Sequence, residues 1–558
     1  MILAKVRKSR KYKDLGAYSI FILSQDIFNY DALVKIRKLS HSCYDVLNHQ
    51  FEIARINLSQ LKSDLKDFNL VIEDEHLLLN SSEFEKELKT TAYPHQIEAI
   101  CFGMNHNKFH LGDEQGLGKT KECIDIAVIK KHKFNYQHCL IVCGVSTLRW
   151  NWKDEIETHS NEKCWLLGFR KNKQGKNKGK LVDKGTQKRL EDLKFIPDAY
   201  FWVINIEALR DAEIVKQLQK LCKNGTINMI VGEEIHKMKN PTCAQSKGFL
   251  KLNAETQISV SGTPLVNTPV DLFVVFKWLG IEEHTYTAFK NHYCVFGGFA
   301  GKEILGYQHL EELRAKLNKI QLRRLKKDVL TLPQKLPQTI FVEMGREQEK
   351  VYTEVLTTLQ NNIDLILLNP NPLAQLTRLR QATGCPELLS STVKESAKLD
   401  KLEELVRQIA EKGEQCLIFS NWTQMCNKIQ ERLYSYSTRK YTSEIPNLKA
   451  VEQEFKEDKN IVALIGTIKL MGTGLTFTNC NHVIFVDSPW TKTDKDQCID
   501  RTHRIGQVND VNIYTIVCAN TIDEKVEKII KKKGKLSDNI VDNISIMNSR
   551  QTLDFLLF

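Results

Sequence analysis

Nine residues, Gly112-Asp113-Glu114-Gln115-Gly116-Leu117-Gly118-Lys119-Thr120, have the composition of a phosphate cradle. Gly116 and Gly118 permit backbone conformations in which consecutive N–H groups turn inward around phosphate oxygens. Lys119 supplies a point charge to the β and γ phosphates, and the Thr120 hydroxyl suits a Mg²⁺ ligand. A helix expected over Lys119 to Lys131 aims the positive end of its dipole at the same anion. The strict pattern G-x-x-x-x-G-K-[ST] is not met, because its first glycine falls on Asp113. Taken alone, the segment also reads as an ordinary glycine-rich turn.

Two further groups give it context. Ile227-Asn228-Met229-Ile230-Val231 reads as a buried strand of a parallel sheet and runs into Gly232-Glu233-Glu234. Acids at the C-terminal end of such a strand lie beside the phosphate loop. There Glu233 can hold Mg²⁺ through water and Glu234 can polarise an attacking water. Far along the chain, Gln497-Cys498-Ile499-Asp500-Arg501-Thr502-His503-Arg504-Ile505-Gly506-Gln507 offers Arg501 and Arg504 at i and i+3. On a helix both would project from one face toward a cleft. A nucleotide would then be held between two halves of one chain.

The motifs and their order resemble the Swi/Snf-type DNA translocases of helicase superfamily two, over about Thr90 to Glu527. Tyr93-Pro94-His95-Gln96 resembles the upstream glutamine element, which implies that Gln96 reads adenine. Gly112 to Thr120 resembles motif I, and Leu148-Arg149-Trp150-Asn151-Trp152 resembles the end of motif Ia. Glu233-Glu234-Ile235-His236 is similar to motif II and Ser261-Gly262-Thr263-Pro264 to the start of motif III. Leu322-Arg323-Arg324-Leu325-Lys326-Lys327 is similar to a basic segment between the lobes, implying DNA contacts for Arg323 and Arg324. Gly472-Thr473-Gly474-Leu475 resembles motif V, and Gln497 to Gln507 motif VI. The resemblance implies ATP and Mg²⁺ as cofactors, with Asp113, Gly116, Gly118, Lys119, Thr120, Gln96 and Gln497 at the nucleotide. It also implies Arg501 and Arg504 at the terminal phosphoryl group, and coupling through Ser261, Thr263, Gly472 and Gly474. Glu233 departs from the family, which usually has aspartate at the Mg²⁺ side. Its extra methylene shifts the carboxylate by about 1.5 Å, against an ion that demands near-ideal octahedral geometry.

Behind these motifs stands an α/β architecture of two RecA-like doubly wound lobes with helical insertions, plus a small α+β N-terminal domain. Residues 1–80 form that small unit: a strand at Ala17–Leu23, a helix at Asp31–Leu39, a hairpin around Asn48-His49-Gln50, and a helix from Leu58 to Phe68. Its order resembles the HARP-type domain that precedes the motor in annealing-helicase members; a generic α+β cap is the other reading. Residues 90–280 form the first lobe. Residues 281–395 are expected to be mostly helical, with a basic amphipathic stretch from Leu313 to Lys327. Residues 396–558 form the second lobe, with strands at Cys416–Phe419, Ile461–Ile465 and His482–Val486. Gly534 is expected to stop the last basic helix, and the apolar end from Leu553 to pack back on the body.

Within the first lobe, the stretch from Arg170 to Lys180 is rich in lysine, glycine and asparagine and reads as a loop. Its charge is nearly all of one sign, so Lys173, Lys176, Lys178 and Lys180 are either a solvated face or contacts to DNA phosphates.

At 558 residues the chain is long enough for several cores. An apolar fraction of 42% and a charged fraction of 27% are ordinary for a soluble protein. The formal net charge of +12 suits a polyanionic partner without requiring one. Fifteen scattered cysteines without a C-x-x-C pair suit a reducing compartment, and Cys139 and Cys143 read as core thiols. No apolar run reaches the ~20 residues of a membrane span. The expectation is a soluble monomer in a host or bacterial cytoplasm or nucleoid, or in a eukaryotic nucleus. Double-stranded or forked DNA is the expected partner. The activity expected is a DNA-dependent ATPase that translocates on duplex DNA and remodels forks, branches or protein–DNA complexes. A nucleotide-switched DNA-binding scaffold and an RNA helicase are the alternatives.

Overall fold

The computed structural model describes residues 2–557 apart from 9–17, 25–26, 28, 40–41, 47, 55–57, 69, 74–83, 85, 145–147, 173–180, 239, 263–268, 298–302, 331, 364–375, 473 and 539–555. Three main sheets organise it. The first has five strands in the order Ser42–Asp45, Gln50–Ala54, Tyr18–Leu23, Ile2–Lys8, Leu70–Glu73. All its pairings are antiparallel except that of Ile2–Lys8 with Leu70–Glu73. Alternate residues Ile2, Ala4 and Val6 point into a core shared with Ile20, Ile22, Phe51 and Ile53. The helices Tyr30–Lys38 and Leu58–Asp64 cover it with Ala32, Ile36 and Leu61. Two strands of this sheet, Ile2–Lys8 and Leu70–Glu73, were not foreseen: Ile2–Lys8 alternates lysine and arginine with apolar residues, and its basic positions hide the pattern.

The second sheet has seven parallel strands in the order Gln321–Leu322, Lys108–Leu111, Thr256–Val260, Ile227–Glu233, His138–Cys143, Phe201–Asn205, Cys164–Leu166. Both faces are buried. In the strand His138–Cys143, Leu140 and Val142 join one core while Cys139, Ile141 and Cys143 join the other, as the two-residue period of a strand requires. The cysteines there are core thiols, and burial pushes both thiols far up from their ordinary range.

The third sheet has six parallel strands in the order Lys335–Val342, Val511–Cys518, His482–Phe485, Cys416–Ser420, Ala463–Thr467, Thr438–Tyr441. It too has a core on each face, with Ile418 and Ile484 in one and Leu417, Phe419 and Val483 in the other. Two parallel α/β sheets with helices on both faces make the fold the doubly wound pair that the motifs implied.

The segment between the sheets differs from the mostly helical expectation. It contains a hairpin, Cys294–Gly297 with Glu303–Tyr307. Gln321–Leu322 completes the second sheet and Lys335–Val342 the third. The basic stretch expected as one amphipathic helix is broken into the helix Leu310–Asn318, that two-residue strand and a short helix, Lys326–Val329. Hydrogen bonding to Lys108–Leu111 outweighs local helix propensity here. The last helix runs Ile522–Asp538, through Gly534 rather than stopping at it. Leu556 and Leu557 are buried against Tyr352 and Leu359. Among the described residues no helix is long and apolar enough to cross a membrane.

Candidate nucleotide site between the two parallel sheets

The cradle sits where the strand Lys108–Leu111 gives way to the helix Lys119–Phe134. Gly116 and Gly118 have φ of +84° and +89°, in the region that favours glycine. Space is also tight. A Cβ on Gly118 would lie 2.4 Å from Gln96 Nε2, and one on Gly116 would lie 3.1 Å from Arg504 Cβ and Lys326 Cε. The helix N-terminus at Gly118 has no side-chain cap, so its first N–H groups face the cavity.

One cavity joins both halves of the chain. From the first it takes Gly116, Gly118, Lys119, Thr120, Glu233 and Glu234; from the second, Gly472, Gly474, Gln497, Arg501 and Arg504. Lys119 Nζ donates to the Asp113 and Glu114 carbonyls at 2.6 and 3.2 Å, and burial pulls its pKa down. Glu233 ends its strand and Glu234 follows with φ +54°. That left-handed conformation in a non-glycine residue is strained, and such strain gathers at functional sites. Ser261 is buried beside this strand end, its N–H bonded to the Leu111 carbonyl at 3.2 Å; Thr263 lies outside the described residues.

Arg501 and Arg504 do share one side, though not a helix face. The helix Lys492–Ile499 ends before them, and both sit on the turn that follows. Both guanidinium groups bond the Leu475 carbonyl, at 3.1 and 3.3 Å. Arg501 also reaches across to Gln115 Oε1 at 3.3 Å. Burial lowers the pKa of both, that of Arg504 to about 10, with the Arg501 charge adding to the effect.

Two site expectations, those for Arg324 and Asp113, are corrected. Arg324 is not a DNA contact: its side chain is 10% exposed and ion-paired to Asp113, to Glu122 at 3.0 Å and to Glu98 at 3.6 Å. Asp113 accordingly turns its fully buried carboxylate to Arg324 and away from the nucleotide cavity, offering only its backbone carbonyl to Lys119. Gln96 packs under the phosphate turn, where Oε1 accepts from Tyr93 N at 3.0 Å and Nε2 donates to the Leu117 carbonyl at 3.3 Å, leaving one N–H and one lone pair of the amide for other partners. It braces the phosphate turn. Arg323 is exposed. Lys173, Lys176, Lys178 and Lys180 lie outside the described residues.

Several residues with no role assigned from sequence complete the site. Trp152 donates its indole N–H to Glu233 Oε2 at 2.6 Å. Asn151 bonds the Gly474 carbonyl across the cleft. Lys326 Nζ bridges to Asp500 Oδ1 and to the His503 carbonyl, both at 2.7 Å, while its backbone N–H bonds Glu114 at 2.8 Å. Lys335 holds the same Asp500 oxygen at 3.0 Å, and Lys449 pairs with Asp154 at 2.6 Å. Glu233 is 81 residues from Trp152, and the other partners lie 165 to 323 residues apart, beyond the reach of local spacing.

Residues 95–388 match the SNF2-related domain and residues 397–506 match the helicase conserved C-terminal domain. The chain belongs to the SNF2-related family, within the Snf2-type group of helicase superfamily two, whose members are ATP hydrolases. It is 26% identical over 459 residues to a putative ATP-dependent helicase/translocase, YwqA, of Bacillus subtilis, covering 78% of this chain and 46% of that protein. It is 25% identical over 472 residues to the mouse DNA annealing helicase and endonuclease ZRANB3, covering 82% of this chain and 41% of that protein. The chain thus spans less than half the length of these relatives. Among solved structures, the Sulfolobus solfataricus SWI2/SNF2 ATPase core in complex with dsDNA shares 22% identity, with 82% of this chain and 94% of that chain covered and a TM-score of 0.36.

Proposed function

We propose that this Snf2-type protein is a DNA-dependent ATPase that translocates along double-stranded DNA and remodels forked or branched structures. The observation that carries the reading is the single cavity in which Lys119, Thr120, Glu233 and Glu234 of one sheet face Arg501 and Arg504 of the other. The donors suit a nucleotide and Mg²⁺: one hydroxyl, two carboxylates, an ammonium and a turn whose two glycines sit at positive φ with little room for a Cβ. Thr120 and Glu233 would hold Mg²⁺, which supplies charge neutralisation at the phosphates. Lys119 and the helix N-terminus bind and orient the triphosphate. Glu234 orients the water. Arg501 and Arg504 meet the charge that develops on the transferring phosphoryl group, a contact worth roughly 10³–10⁵ in rate in related chemistry.

Because those arginines come from the opposite sheet, the reaction requires closure, and closure and opening around a phosphate backbone can step the protein along it. Backbone contacts carry little sequence information, so sequence preference should be weak. The similarity to a relative named as a DNA annealing helicase supports fork or branch remodelling as the product of the motion. Exposed Arg323 and the lysines 173, 176, 178 and 180 are the proposed DNA contacts. The test is ATP hydrolysis with duplex, forked and single-stranded DNA and with RNA, followed by triplex displacement. Strongest stimulation by duplex or forked DNA with triplex displacement is expected. Stimulation by RNA alone, or nucleotide binding without turnover, would favour the RNA-helicase or scaffold alternative.

A further inference from the structure

Remote from the nucleotide cavity, the segment between the sheets brings two imidazoles and a carboxylate together. His292 lies near the end of the helix Tyr286–Tyr293, His309 immediately precedes the helix Leu310–Asn318, and Glu312 sits in its first turn. One ligand atom from each lies within 4.8 Å of the others. We propose that His292, His309 and Glu312 form a Zn²⁺ site that pins the hairpin insertion to the helix behind it.

The donor chemistry is that of zinc: two imidazole nitrogens and one carboxylate, with the remaining position open to water. His292 Nε2 and Glu312 Oε2 are 2.9 Å apart, sharing a proton that a metal ion would replace. The other carboxylate oxygen is already held, by the Tyr293 hydroxyl at 3.0 Å and Lys316 at 3.2 Å. Such outer contacts orient a ligating carboxylate and free its second oxygen for the ion. The two imidazole rings lie 4.6 Å apart and 10° from parallel. In these stacked rings the nitrogen lone pairs lie in nearly parallel planes, so one ring must turn for both to aim at a shared ion; all three side chains are exposed, which leaves room for that turn and for the zinc–nitrogen distance of about 2.0–2.1 Å. Counting Glu282, which pairs with Lys316 at 3.4 Å, the local charge is one negative in excess.

His309 has φ +54°, a left-handed conformation that a histidine adopts at a cost and glycine adopts freely. That same fact provides a variant that folds: His309→Gly removes the ligand while suiting the backbone.

The experiment is a ZnCl₂ titration of the full chain by calorimetry after EDTA treatment and buffer exchange, for wild type, His309→Gly and Glu312→Gln. Zinc bound elsewhere on the surface appears equally in all three. The expected result is one additional equivalent in wild type, with affinity lost at least tenfold in both variants, and a thermal midpoint raised by Zn²⁺ in wild type alone. Equal stoichiometry and affinity in wild type and His309→Gly would overturn the site.

Discussion

The indole N–H of Trp152 meets the Glu233 carboxylate at 2.6 Å, inside the cavity that also holds Lys119 and Thr120. Trp152 is 2% exposed, so this donor is fixed by packing. One oxygen of the longer glutamate side chain is thus held in place by a buried neighbour.

Removing that bond should disturb Mg²⁺ handling before it disturbs the fold. A hydrogen bond to a charged group is worth about 1.5–3 kcal/mol. Trp152→Phe is therefore expected to raise the Mg²⁺ concentration needed for half-maximal nucleotide binding roughly tenfold or more, measured by a fluorescent ATP analogue. An unchanged Mg²⁺ dependence would deny Trp152 this role.

Arg324 should matter to stability and not to DNA. Substituting methionine leaves Asp113 and Glu122 buried without their cation. Breaking a buried ion pair in this way costs about 3–5 kcal/mol, which urea unfolding would register. Arg323→Ala should leave stability unchanged and reduce the salt slope of DNA binding by about one phosphate contact. The opposite pattern would restore Arg324 as the contact.

Lys326 joins the lobes, and its pKa is lowered to about 8 because burial outweighs the attraction of Asp500. As pH rises through 8 the ammonium is lost and the bridge to Asp500 weakens, leaving Lys335 to hold it. The sign for folding runs the other way. The unfolded chain keeps its proton up to the ordinary lysine range, so from about pH 8 upward this group alone makes stability rise with pH. Fluorescence energy transfer between dyes on the two lobes should fall from pH 7 to 9 in wild type and be flat in Lys326→Met. Parallel curves would show that the bridge does not govern closure.

The loop lysines offer an independent check on the track. Neutralising Lys173, Lys176, Lys178 and Lys180 should flatten the slope of log K against log salt for duplex DNA, since each released counterion contributes about −0.9. An unchanged slope would leave them as a solvated face.

What could be read without coordinates was whatever is local. The turn Gly116-Leu117-Gly118, the strand ending in Glu233 and the buried run His138–Cys143 each declare themselves within ten residues and point to the first parallel sheet, as the runs Cys416–Phe419 and His482–Val486 point to the second. What could not be read was tertiary. Gln321–Leu322 is a strand only because Lys108–Leu111 offers it an edge. Arg324 looked like a free basic residue because its carboxylate partners lie some two hundred positions upstream. Arg501 and Arg504 were placed on a helix that ends at Ile499, before either of them, yet their common bond to Leu475 preserves the shared direction that helical spacing had suggested.

The most direct test is duplex-stimulated ATP hydrolysis by wild type beside Lys119→Ala and the double variant Arg501→Ala/Arg504→Ala. If the two lobes must both reach the terminal phosphate, each variant should lose about 10³-fold or more in turnover while the double variant still binds ATP. Turnover in wild type no faster than in Lys119→Ala, or full activity without the two arginines, would contradict the account.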